Sequence, residues 1–168
     1  HCKHLPFGRD NDRWVWKELN LFGVRSIEVE APLPTIDSSK AASLTVHQIG
    51  LTNDIVSPDH QVEVAVNGTV LDVIVWEGKQ ANATTLSIPA GLLQAENTVS
   101  LSLVDGEANV DTVVLDALEF EFVPVSSPLA GQMHLNGSSS SESYSYPVNG
   151  GDGLEIFDVT DPLAPVLV

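Results

Sequence analysis

Cysteine is almost missing from this chain of 168 residues. Cys2 stands alone, so no disulfide can close within it and the fold must be held by packing. Basic side chains are few, 7 against 23 acidic, and the net charge of −16 would repel a phosphate backbone, which argues against nucleic acid as a partner. No apolar run approaches the ~20 residues that a membrane-crossing helix needs. Aromatic residues make up only 6% of the chain, so a sugar-stacking platform has little to draw on. Helix signals are scarce, and no internal repeat is evident. Also missing are a Gly-x-Ser-x-Gly elbow, a His-Glu-x-x-His pair and a glycine-rich phosphate loop, each of which would have pointed to an enzyme class. The chain opens at His1 without a signal-peptide pattern, and is expected to be a processed or excerpted part of a longer protein.

Short alternating segments are what the chain has in plenty. Strands are expected near 13–20, 24–30, 42–49, 61–67, 70–77, 84–88, 97–104, 112–122, 131–136 and 154–158, separated by turn signals. Such spacing predicts an all-β fold, a jelly-roll-like antiparallel β-sandwich of about 8–10 strands. Asn67-Gly68 supplies the two positive φ angles of a tight hairpin turn between the fourth and fifth strands. Period-two alternation places Val62, Val64, Val66, Val99, Leu101, Leu103, Leu118, Phe120 and Phe122 in the core. Thr98, Ser100 and Ser102 then form a flat, uncharged outer face, and Leu92-Leu93 plugs an open end. Prolines 124 and 128 mark a boundary. The expected organisation is a sandwich over 1–125, a Gly/Ser-rich linker or long loop over 126–153, and a terminal strand over 154–168 leading to a next domain or a neighbouring subunit.

Several constellations carry candidate chemistry. Asp105, Glu107, Asn109 and Asp111 place oxygen ligands at every second position of one loop, as calcium requires, although neither the glycine nor the closing glutamate of an EF-hand follows. Solvated turn residues are the other reading of that loop. Calcium is the one cofactor the sequence suggests. Asp116 shares strand parity with Leu118, Phe120 and Phe122, which aims it inward or at the sheet edge, where it needs backbone N–H groups or an arginine such as Arg13 or Arg25. Trp14, Trp16, Trp76, Tyr144 and Tyr146 are the candidates for stacking on a sugar ring, with a core role as the alternative for the three tryptophans. Asn67, Asn82 and Asn136 each begin a glycosylation sequon, and the turn alone accounts for Asn67.

Four stretches carry a resemblance. Asp59 to Val70, Ile88 to Val99 and Val113 to Phe122, with the acidic-then-aromatic segment Asp12 to Leu19 ahead of them, resemble the β-sandwich that precedes the catalytic domain in secreted cysteine peptidases of the gingipain family. The likeness covers roughly residues 10–125, and Ile156 to Pro162 resembles the segment that joins sandwich to peptidase. It implies a non-catalytic module, since a Cys nucleophile and His base would sit on a further domain. A terminal histidine on a sandwich also resembles the copper brace of polysaccharide monooxygenases, with His1 and His4 as metal candidates and His47, His60 or His134 as partner. The upstream extension implied by the first resemblance, and the lack of an aromatic copper-site pattern, favour an ordinary terminal segment. The expected function is a non-catalytic accessory or interaction module of a secreted or cell-surface protein, working beside an adjacent domain or neighbouring copies of itself. The alternatives are a fibre subunit assembled through its terminal strands, and a carbohydrate-binding module with polysaccharide as partner.

Overall fold

The computed structural model describes residues 15–33, 35–104, 106, 108–125, 155, 157–158 and 166–167. The chain divides into two compact units, His1–Pro124 and Val125–Val168. In the first unit the strands are β1 (Lys17–Asn20), β2 (Ser26–Pro32), β3 (Ala42–Gly50), β4 (His60–Val66), β5 (Thr69–Trp76), β6 (Ala81–Ile88), β7 (Glu96–Leu103) and β8 (Thr112–Glu121). They form two four-stranded antiparallel sheets, ordered β1-β8-β3-β6 and β2-β7-β4-β5. Every connection except the β4–β5 hairpin passes from one sheet to the other, which is the interleaving of a jelly-roll-like sandwich. In the second unit β9 (Phe157–Asp158) and β10 (Val166–Leu167) pair with each other. No helix occurs among the described residues, and none is long and apolar enough to cross a membrane.

Period-two alternation builds the interior. Val62, Val64 and Val66 of β4 and Val99 and Leu101 of β7 are fully buried, with Leu103 close behind. Leu44 and Val46 of β3 and Val113 and Leu115 of β8 face them from the other sheet. Burying a side chain of this size contributes about 1.5–3 kcal/mol, and each of the central strands supplies several. Leu93 is buried and Leu92 packs against the same core, so the apolar plug closes the sandwich as expected. At the β4–β5 hairpin Asn67 has φ 50° and Gly68 φ 77°, as a type I′ turn demands. The Asn67 side chain donates to Leu92 O (2.8 Å) and Asn97 Oδ1 (2.9 Å) and accepts from Thr98 N (3.0 Å), which leaves its amide no room for a glycan.

Three expectations need correction. Strand β8 does not keep one parity: the register shifts opposite His47 and Gln48, where Ala117 and Leu115 pair and Asp116 is the extra residue of a bulge. Asp116 is therefore half-buried rather than aimed inward, and Leu118, Phe120 and Phe122 are only partly buried. The Thr98, Ser100 and Ser102 face is not uncharged, because Glu30, Glu28 and Glu63 stand opposite those residues on β2 and β4. The strand expected at 131–136, the 126–153 linker, and Arg13 lie outside the described residues.

This burial order is open to measurement. Leu101→Ala is expected to cost about 2–5 kcal/mol in chemical denaturation, since it empties a fully buried site. Phe120→Ala, in the half-buried stretch beyond the bulge, is expected to cost clearly less than the ~3–5 kcal/mol of a core phenylalanine. A larger loss at Phe120 than at Leu101 would show that the bulge does not mark the limit of the core.

Candidate functional site

Strand parity that buries one face of a sheet displays the other. On the outer face of the β6, β3 and β8 strands the register sets Ser87, Ser43 and Glu121 in one row and Thr85, Thr45 and Glu119 in the next. A third row holds Ala83, His47 and Ala117. Thr45 and Thr85 share a hydroxyl hydrogen bond of 2.8 Å, and His47 Nε2 lies 3.3 Å from Glu119 Oε2. Beside β8 this face holds an open cleft of about 370 Å³ lined by Ser43, Thr45, Glu119, Phe120, Glu121 and Phe122. Two carboxylates and two hydroxyls thus open onto one shallow space, while Phe120, opposite the buried Leu44, packs against the core. Such a set can accept hydrogen bonds and pair with a cation.

A second polar constellation closes one end of the sandwich, and it is built inward. Asp54 accepts backbone N–H bonds from Asn109 (2.7 Å), Val110 (3.2 Å), Ile55 (2.6 Å) and Val56 (3.3 Å). Burial opposes its charge, but these donors outweigh that and hold the carboxyl below its ordinary value of 3.8. Asp59, which is buried, takes the Gly78 N–H (2.8 Å) and the Asp54 N–H (3.1 Å). His60, fully buried at the start of β4, meets Asp111 Oδ1 through Nδ1 at 2.7 Å and stacks on Trp76, ring centroids 4.8 Å apart. On its Nε2 side lie Asp59 Oδ1, at 3.8 Å, and the Gly78 carbonyl, neither making a full hydrogen bond. Gly50 lies against this ring. A Cβ there would strike His60 and come within 2.6 Å of Gly78 O, so only glycine fits. Burial disfavours the imidazolium, yet the bond and charge of Asp111, then Asp59 and Gly78, prevail and raise the pKa above 6.5.

The residues named from the sequence fall in different places. Of the calcium candidates, Asp111 is buried against His60, and Asn109 is exposed with its N–H on Asp54. Asp105 and Glu107 lie outside the described residues. A cation on Asp111 would have to displace histidine, and among the described residues no three His, Cys, Asp or Glu side chains gather to hold a metal. Of the sugar candidates, Trp76 is 8% exposed and belongs to the core, whereas Trp16 is 61% exposed. His60 is likewise unavailable to a terminal metal site. Trp14, Tyr144, Tyr146, His1, His4 and His134 lie outside the described residues. The sequence reading missed the His60–Asp111 pair, whose members are 51 positions apart, and the pairing of the β8 glutamates with the β3 hydroxyls. Strand register could have revealed the second, and only the tertiary fold the first.

The buried pair sets a pH dependence. A histidine whose folded pKa is raised adds stability that is fully present below its unfolded value near 6.5 and is lost as pH rises through the folded value. Thermal melts of the wild type should therefore fall in midpoint as pH rises above 6.5. In His60→Asn this part of the slope should vanish. A slope of equal size in the variant would assign it to other groups. Calcium is tested in parallel: with Asp111 engaged by His60, the melting midpoint should not change on adding chelator or excess calcium.

No protein-family model matches this chain, and no match is found among curated proteins. Likeness to solved structures lies in the fold. Dimeric latent PorU from Porphyromonas gingivalis is similar over 65% of this chain at 15% identity, with a TM-score of 0.53. The matched part is 11% of PorU, so the chain spans about a tenth of that protein. The CBM36-1 domain of a multidomain xylanase from the hindgut metagenome of Trinervitermes trinervoides is similar over 63% of this chain and 78% of its own length, at 13% identity and a TM-score of 0.46. A carbohydrate-binding module CBM36 in complex with calcium and xylotriose gives 9% identity over 63% of this chain and 89% of its own, with a TM-score of 0.43. Of these three, PorU alone has a TM-score above 0.5, and at 15% identity that is a likeness of fold.

Proposed function

We propose that this chain is a non-catalytic accessory module of a secreted or cell-surface protein, and that it works by presenting a sheet face to a partner. One observation carries the reading. The ionisable groups drawn together in the interior, Asp59, His60 and Asp111, are engaged with one another and with loop backbone, while the polar groups open to solvent are spread along the β6-β3-β8 face and its cleft. Catalysis by acid and base needs such groups within reach of a substrate. Binding needs only a displayed and rigid surface. The sequence likeness to the sandwich that precedes the peptidase domain in the gingipain family points the same way. On this reading residues 1–125 are the sandwich, 126–153 a linker, and 154–168 the lead into an adjacent domain or a neighbouring copy.

Trp16 favours a second reading, a carbohydrate-binding module. Its ring is mostly exposed just ahead of β1, free to stack on a pyranose. The two readings are separated by incubating the full chain with peptide and polysaccharide substrates and, separately, titrating neutral oligosaccharides. An accessory module shows no turnover, and Trp16→Ala leaves its binding of partners unchanged. Saturable oligosaccharide binding lost in Trp16→Ala would select the carbohydrate module. Turnover that disappears in Cys2→Ala or His1→Ala would overturn both.

A further inference from the structure

We infer that the interior of the sandwich carries a binding site for a water molecule, held between the two sheets by Gln48, His60 and Trp76. Four polar atoms of these residues are sealed from solvent: Gln48 Nε2 and Oε1, His60 Nε2 and Trp76 Nε1. None of the four meets a hydrogen-bond partner among the described residues. Gln48 is 1% exposed and His60 is fully buried. Folded interiors rarely leave such groups unpaired, because the loss of water at each goes uncompensated.

Strand register gathers them in one layer. The inner positions of β3 run Leu44, Val46, Gln48 and Gly50, and Gly50 lies under His60 Nε2. Gln48 is two residues before Gly50, roughly 6.4–6.8 Å along the strand, a gap that a glutamine side chain covers. His60 pairs with Trp76 across β4 and β5, and the two rings stack. The inner side of β6 changes at the same level. Ile88 and Leu86 are buried and apolar, then Thr84 and Asn82 follow, with Asn82 opposite Gln48. Both sheets thus turn from apolar to polar side chains at one depth.

The mixture of groups decides the occupant. Trp76 Nε1–H only donates, whereas the Gln48 amide both donates and accepts. His60 engages Asp111 through Nδ1, so Nε2 accepts when the ring is neutral and donates when it is charged. A metal ion would need acceptors alone, and an anion donors alone. Water serves both kinds and makes about three hydrogen bonds in such a site. Asn82 and Thr84 are only partly buried and lie on β6, an edge strand of its sheet, which gives the water a route to solvent.

The test is water-selective NOE and ROE spectroscopy on the isotope-labelled full chain. A long-lived water should give direct cross-peaks to the Trp76 indole N–H and to the Gln48 side-chain amide protons. Absence of both in the wild type overturns the inference, and that result needs no variant to fold. Gln48→Met keeps the length of the side chain and removes its polar atoms. In this variant the Trp76 cross-peak should be lost, and the melting midpoint should fall by about 2–4 °C. A Trp76 cross-peak that persists would place the water away from Gln48 and overturn the site. A midpoint that stays or rises would show that the Gln48 amide has no partner to lose, and would overturn it as well.

Discussion

Two four-stranded sheets can hide their apolar faces only against each other, and a strand that turns every second residue inward must turn the rest outward. In the central strands β3, β4 and β7 this leaves little freedom. Val62, Val64 and Val66 are sealed, so Gln61, Glu63 and Ala65 take the other face; Leu44 and Val46 are sealed, so Ser43, Thr45 and His47 do. The outer faces are therefore ordered arrays whose rows are set by the hydrogen-bonded ladder. The cleft beside β8 follows from the packing of the core, and its two glutamates are held in place by a strand that could not slip one residue without exposing Leu118 and Phe120.

The end of the sandwich near His60 solves a different problem. The loops that hold Asp54, Gly78 and Asn109 carry backbone N–H groups that have no ladder to join, and carboxylates take that role. Asp54 and Asp59 accept from loop backbone, and Asp111 meets the buried His60 ring. A buried charge pair of this kind is seldom a large net gain over apolar packing, but removing one partner strands the other. The arrangement is thus stable as a set. It also explains why an acidic loop that reads as a cation site in the sequence is partly occupied by the protein itself.

Legibility followed the range of the interactions involved. The eight strands of the sandwich, the Asn67-Gly68 turn and the Leu92-Leu93 plug were readable because each rests on residues within a few positions of one another. The bulge at Asp116 was not, because nothing in Val113 to Glu121 shows that His47 and Gln48 across the ladder change step there. Continuing one parity through it placed Asp116 and Phe122 too deep. The charge on the β7 face was hidden for the same reason: Thr98, Ser100 and Ser102 look neutral until β2 and β4 bring their glutamates alongside. Trp76 showed the limit of composition, since its place in the core, stacked on His60, could not be read from its residue type.

The path of the chain has a kinetic consequence. Because the sandwich crosses between sheets at every connection but one, only β4 and β5 among its eight strands are neighbours in both sequence and ladder. Strand β3 must wait for β8, which begins 62 positions after Gly50 at Thr112, and β2 must wait for β7. Loop closure has to be met before these contacts stabilise anything, which places such topologies among domains that fold in milliseconds to seconds. During synthesis, β3 and β2 emerge long before the strands that flank them. Until β7 arrives, neither sheet has its full set of strands, and the first half of the sandwich carries apolar faces with little yet to cover them.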